Sequence, residues 1–69
     1  MKITYRTLSN GKHIFNFYYD GKEWIEDYYQ VDESEKSGLC HVHRAHHGAH
    51  KNMVEEFIEK LVGAGFKEL

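Results

Sequence analysis

The sequence predicts an α+β fold, in which an antiparallel β-meander of three to four strands is followed by one C-terminal amphipathic helix packed on one sheet face. Two turn dipeptides, the aromatic and β-branched runs around them, and an apolar helical period after residue 50 predict this arrangement. Because a chain of 69 residues holds one hydrophobic core at most, we assign residues 1–69 to a single domain.

The dipeptides Asn10-Gly11 and Asp20-Gly21 predict the first two turns. Such pairs tolerate the positive φ angles that a two-residue type I′ hairpin turn requires. They separate three strand-like runs, at residues 3–8, 14–19 and 24–31. The polar segment 32–38 then predicts a loop, and the run 39–44 predicts a fourth strand.

Apolar residues at helical spacing predict the helix. These residues are Met53, Val54, Phe57, Ile58, Leu61 and Val62, and acidic side chains occupy the opposite stripe. Asn52 and Glu55 have the spacing of a capping box at its start, and Gly63 or Gly65 supplies its end. Phe66 can then fold back on the helix or extend a sheet edge.

Two-residue turns also predict which residues face each other. Leu8 would pair with His13 and Phe17 with Trp24, and opposed residues share a face. The first face then contains Leu8, Phe15, Phe17, Tyr19, Trp24 and Tyr28 with Lys2, Arg6 and Glu26. The second face contains Ile3, Tyr5, Ile14, Tyr18, Ile25 and Tyr29 with Asn16, Glu23 and Asp27. One helix covers only one such face, so the other meets water or a partner.

An uncovered aromatic face predicts a small intracellular protein-interaction module, of accessory or inhibitory type, that binds a protein partner or forms a homodimer. Aromatic and arginine side chains are enriched at interface hot spots. The candidate partner-binding residues are Arg6, Phe15, Phe17, Tyr19, Trp24 and Tyr28. The competing interpretation is that these rings form the core.

The segment 40–50 contains five of the six histidines and the single cysteine, Cys40. On a strand, His41 and His43 would share a face and could ligate one Zn²⁺. If the helix began by Ala45, His46 and His50 would add a second pair at i and i+4. The alternative function is therefore a metal site built from His41, His43, His46 and His50, with zinc as the cofactor; otherwise we expect no cofactor. The same imidazoles could make the surface sensitive to pH.

Composition and the absence of known motifs argue against the remaining classes of function. Base stacking on the sheet would give single-stranded nucleic-acid binding as a third function. The net charge of −2 and seven acids against one lysine in residues 20–35 argue against a nucleic-acid partner. No apolar run approaches the ~20 residues of a membrane span, no secretory leader is evident, and a lone cysteine forms no internal disulfide, so we expect a cytoplasmic protein. Without a phosphate-binding loop, a zinc-protease motif or a glycine elbow at a serine, we do not expect an enzyme.

Overall fold

A computed structural model describes residues 3–69 of the chain, with side chains from Tyr5 onward. The positions predicted for Lys2 and for the side chain of Ile3 lie outside these residues. The elements follow in the order β1 (Ile3–Ser9), β2 (His13–Tyr19), β3 (Trp24–Val31), β4 (Leu39–His46), α1 (Lys51–Gly63) and β5 (Lys67–Glu68). The strands form one antiparallel sheet in the order β4-β3-β2-β1-β5. The predicted α+β class, with a meander and a C-terminal helix, is confirmed.

The two hairpin turns differ from the prediction. The oxygen Oδ1 of Asn10 accepts hydrogen bonds from the backbone N–H groups of Lys12 and His13, at 2.9 and 2.8 Å. Asp20 makes the same pair of bonds in the second turn. Among the described residues only glycines have positive φ, so neither turn is type I′. Side-chain bonding to the following backbone has produced a longer loop in each hairpin.

The longer loops shift the predicted register by two residues. Leu8 pairs with Phe15, rather than with His13. Phe17 pairs with Glu26, rather than with Trp24. Since side chains alternate with a period of two, an even shift leaves the residues on their predicted faces.

Tyr5 is an exception, because a bulge interrupts β1 between Thr4 and Arg6. The Tyr5 ring packs edge-on against Trp24, with 5.1 Å between centroids, and its hydroxyl donates to Glu55 of α1. The prediction that Tyr5 lies on the second face is therefore wrong. A single extra residue in the strand has turned its side chain toward the helix.

The core joins the first face of the sheet to α1. One buried cluster contains Leu8, Phe17, Val54, Ile58, Leu61 and Phe66. Phe15, Trp24, Phe57 and Tyr5 pack against it. The second face carries Ile14, Tyr18, Ile25, Asp27 and Tyr29, of which Tyr18, Ile25 and Asp27 are also buried.

The two ends of α1 show which of the predicted helix-end signals the structure uses. α1 begins after His50, which makes no side-chain capping bond, so the predicted Asn52–Glu55 capping box is not formed. Its end is signalled by Gly65, which has φ of 97°. Phe66 then turns back into the core, and β5 pairs with β1 at the sheet edge.

Candidate functional site

The acidic strand β3 lies beside the histidine-bearing strand β4, and this junction holds two buried carboxylates. Glu26 and Asp27 retain 5% and 1% exposure. As consecutive strand residues they point to opposite faces of the sheet. A buried carboxylate requires compensating hydrogen bonds or charge, and β4 and the residue after it supply both.

On the first face, two imidazoles flank Glu26. His47 Nε2 donates to Glu26 Oε1 at 3.0 Å, and His43 Nε2 lies 3.5 Å from Oε2. Ala45 pairs directly with Glu26 on β4 and stands between the two histidines on the same face. Ala45 is thus the small residue that lies between Glu26 and the outer edge of the sheet.

A cavity of about 290 Å³ opens beside this group. Its lining combines the Glu26 and His47 side chains with one stripe of α1, which consists of Met53, Glu56, Phe57 and Lys60. We call this cavity the Glu26 pocket. It has an apolar wall, a buried carboxylate and a charged pair of helix residues, which is the composition expected of a site that orients a partly apolar, partly charged group.

On the second face, Asp27 is held by Arg44 and His41. Arg44 Nε and Nη2 donate to the two carboxylate oxygens at 2.7 and 3.2 Å, and His41 Nε2 donates to Oδ1 at 3.1 Å. Burial by itself raises the pKa of Asp27, but the bonds from Arg44 and His41 outweigh it and hold this pKa below its usual value. Burial beside Asp27 also raises the pKa of the Tyr18 hydroxyl.

The residues predicted to bind a partner lie on the face that α1 contacts. Phe17 has no exposed area, and Phe15 and Trp24 pack against the core. Tyr19 lies against Trp24, and Tyr28 against Phe15. Arg6 forms an ion pair with Glu68 of β5. Phe17 is thus buried in the cluster that contains residues of α1, while the role of this surface in partner binding stays a prediction.

The four histidines predicted as metal ligands do not converge. Val42 is an extra residue in β4, since His41 pairs with Tyr29 and His43 with Tyr28. This bulge turns His41 to Asp27 on the second face and His43 to Glu26 on the first. His46 still belongs to β4 and contacts Glu23, while His50 precedes the helix. In the described part of the chain, no three His, Cys, Asp or Glu residues are arranged to hold a metal ion.

Sequence reasoning did not find Glu26 and His47 as a site. The signal for it was present, because Glu26 and Asp27 are consecutive acids inside an otherwise aromatic and apolar strand. Buried acids in such a position require basic neighbours, and the next strand of the meander was the histidine-rich one. The acid-rich residues 20–35 and the histidine-rich segment 40–50 are therefore brought into direct contact by the pairing of β3 with β4.

Two further findings bear on function. Over residues 3–69, no helix is both long enough and apolar enough to span a bilayer. No family model matches the chain, and neither a curated protein nor a solved structure is detectably similar to it.

Proposed function

We propose that the protein is an interaction module that binds an extended segment of a partner protein, which adds as a strand to β4. The supporting observation is the position of β4 in the sheet. It is eight residues long and, within residues 3–69, pairs only with β3. A long edge strand presents unpaired backbone donors and acceptors, which is the basis of recognition by β-strand addition.

The direction of the backbone groups supports binding at the C-terminal half of β4. The His47 N–H donates to the Trp24 carbonyl at 2.8 Å, so it points into the sheet. In an antiparallel ladder these groups alternate from residue to residue. The N–H and C=O groups of Ala45 and His43 therefore point toward β3, and those of Arg44 and His46 point outward to a further strand.

The opposite edge is far less suited to an added strand. It is formed at one end by β5, which has only two residues and pairs with Leu8 and Ser9, and otherwise by the rest of β1, which a bulge interrupts between Thr4 and Arg6. The ion pair between Arg6 and Glu68 lies at this edge as well. Short edge strands and charged side chains are features that block further pairing.

The Glu26 pocket lies next to the proposed strand. Every second side chain of an added strand points to the first face, where Glu26, His47 and α1 line the pocket. Backbone hydrogen bonds would supply affinity, and the pocket would select the side chain that enters it. The function class remains the one expected from the sequence, with the contact surface moved from the aromatic face to the β4 edge.

The edge formed by β4 is better suited to binding a different protein than a second copy of this chain. Antiparallel self-pairing of β4 can bring Arg44 of one copy close to Arg44 of the other. Such contacts are unfavourable between like charges.

A peptide selection tests this proposal. Random linear peptides of about ten residues are displayed, selected on the wild-type protein, and then measured against two variants at the same position. His46→Pro removes an outward N–H, which an edge strand tolerates, whereas His46→Ala removes only the side chain and its contact with Glu23.

We expect selected peptides to bind the wild type and His46→Ala with similar affinity, and to lose at least tenfold in affinity for His46→Pro. Bound peptide should also slow hydrogen exchange at the amides of Arg44 and His46. Failure to select any peptide, or equal binding to all three proteins, would contradict the proposal. So would a concentration-dependent dimer that pairs through β4.

A further inference from the structure

We infer that the partner segment carries a lysine or arginine opposite Ala45, and that its cationic head binds Glu26. This inference rests on the proposed function, since it assigns the side chain that enters the Glu26 pocket. The proposed function says where the partner binds, and this inference says which kind of side chain the partner supplies.

The path from the sheet edge to Glu26 crosses Ala45. Neighbouring strands are about 4.8 Å apart, so an added strand lies two such spacings from β3. A lysine or arginine stem can cross this distance only above a small side chain, and Ala45 is the residue paired with Glu26. On either side of Ala45 the larger side chains of His43 and His47 border the path.

The charges around the pocket favour a cation. Glu56 and Lys60 are separated by one helical turn, so their opposite charges largely offset each other at the rim. Apart from this pair, the Glu26 carboxylate is the acidic group of the pocket lining. Each of its oxygens can accept two hydrogen bonds, and the two imidazoles use only part of this capacity.

The apolar wall suits the stem of such a side chain. Met53 is 56% exposed at the pocket, and Phe57 presents an aromatic ring beside it. A long basic side chain buries its methylene groups against such surfaces while its head meets a carboxylate. The aromatic ring adds a favourable contact for a cation.

The test uses selected peptides and their norleucine analogues. We expect lysine or arginine at one position of the selected set, and replacement of that residue by norleucine should weaken binding about tenfold, as the loss of a charge-assisted hydrogen bond does. In the variant Glu26→Gln, peptide and analogue should bind equally well. The same equality is expected for Ala45→Leu, which blocks the path and leaves the carboxylate in place.

Glu59→Gln is the matched control, since Glu59 is an exposed acid of α1 outside the pocket lining, and it should retain the tenfold preference. If selected peptides bind through β4 but show no preference for a basic residue, the inference is wrong and the proposed function stands. A preference for an acidic residue would also overturn it, because Lys60 and the histidines would then be the recognition groups. If no peptide binds at β4, the proposed function itself fails.

Discussion

Glu26 and Asp27 are consecutive residues of β3 whose carboxylates are bound on opposite faces of the sheet by side chains from the β4 side. Asp27 is bound by Arg44 and His41, and Glu26 contacts His47. The pairing of β4 with β3 therefore depends on side-chain charge as well as on the backbone ladder. Within residues 3–69, no strand other than β3 pairs with β4.

The Asp27 contacts predict a stability that depends on pH. Because the pKa of Asp27 is lower in the folded chain than its usual value of about 3.9, the ionised form stabilises the fold. This contribution is complete above the usual pKa and is lost as the pH falls through the lower, folded-state pKa. Urea unfolding of the wild type between pH 6 and pH 2 should show this decrease.

The variant Asp27→Asn isolates the effect. It should be less stable than the wild type by about 1–3 kcal/mol at pH 6, because the charged partners lose their acceptor. At pH 2 the two proteins should differ much less. Glu33→Gln, at an exposed acid, is the control and should follow the wild type across the range. A constant difference between Asp27→Asn and the wild type at every pH would contradict this account.

Trp24 distinguishes a core from a contact surface on the first face. Its ring lies against Tyr5 and Tyr19 and packs on the buried cluster. Trp24→Ala should therefore lower the free energy of unfolding by about 3 kcal/mol, measured by urea unfolding followed by circular dichroism. Val62→Ala, at a residue 51% exposed on α1, should change it by less than about 0.5 kcal/mol. Nearly equal stability of both variants would show that the first face is not the core.

Replacement of glycine by alanine should have opposite effects at the two glycines near the end of α1. Gly65 has φ of 97°, whereas Gly63 belongs to the helix, and neither has an atom within 4 Å of an added Cβ. Gly65→Ala should destabilise the protein by about 1 kcal/mol through backbone strain alone. Gly63→Ala should be neutral or stabilising by up to about 1 kcal/mol. Thermal unfolding of both variants compares them directly, and a Gly65→Ala variant as stable as Gly63→Ala would exclude this helix end.

Much of the fold could be predicted because its signals are periodic. The alternation of β1, β2 and β3 and the helical stripe of Val54, Ile58 and Leu61 depend on many residues, so a local error does not remove them. The turns depend on single side chains, and Asn10 and Asp20 form backbone hydrogen bonds that lengthen both loops. The strand residues stayed on their predicted faces only because the register shift that resulted was an even number of residues.

The candidate site was harder to predict because it depends on one inserted residue. The extra residue Val42 has no distinguishing chemistry, yet it places His41 and His43 on opposite faces. In a regular strand, His41 and His43 would lie on the same face, and for this reason we predicted that they ligate one metal ion. The paired acids, Glu26 and Asp27, would have been the better guide, because burial forces each to find a basic partner.

Amide hydrogen exchange along β4 is the most direct test of the central claim that this edge is open to an added strand. In the free protein, the amides of His43, Ala45 and His47 should be protected, while those of Arg44 and His46 should exchange rapidly at every protein concentration. Protection of Arg44 and His46 in the free protein would contradict the account, because it would mean that the outer edge of β4 is already paired.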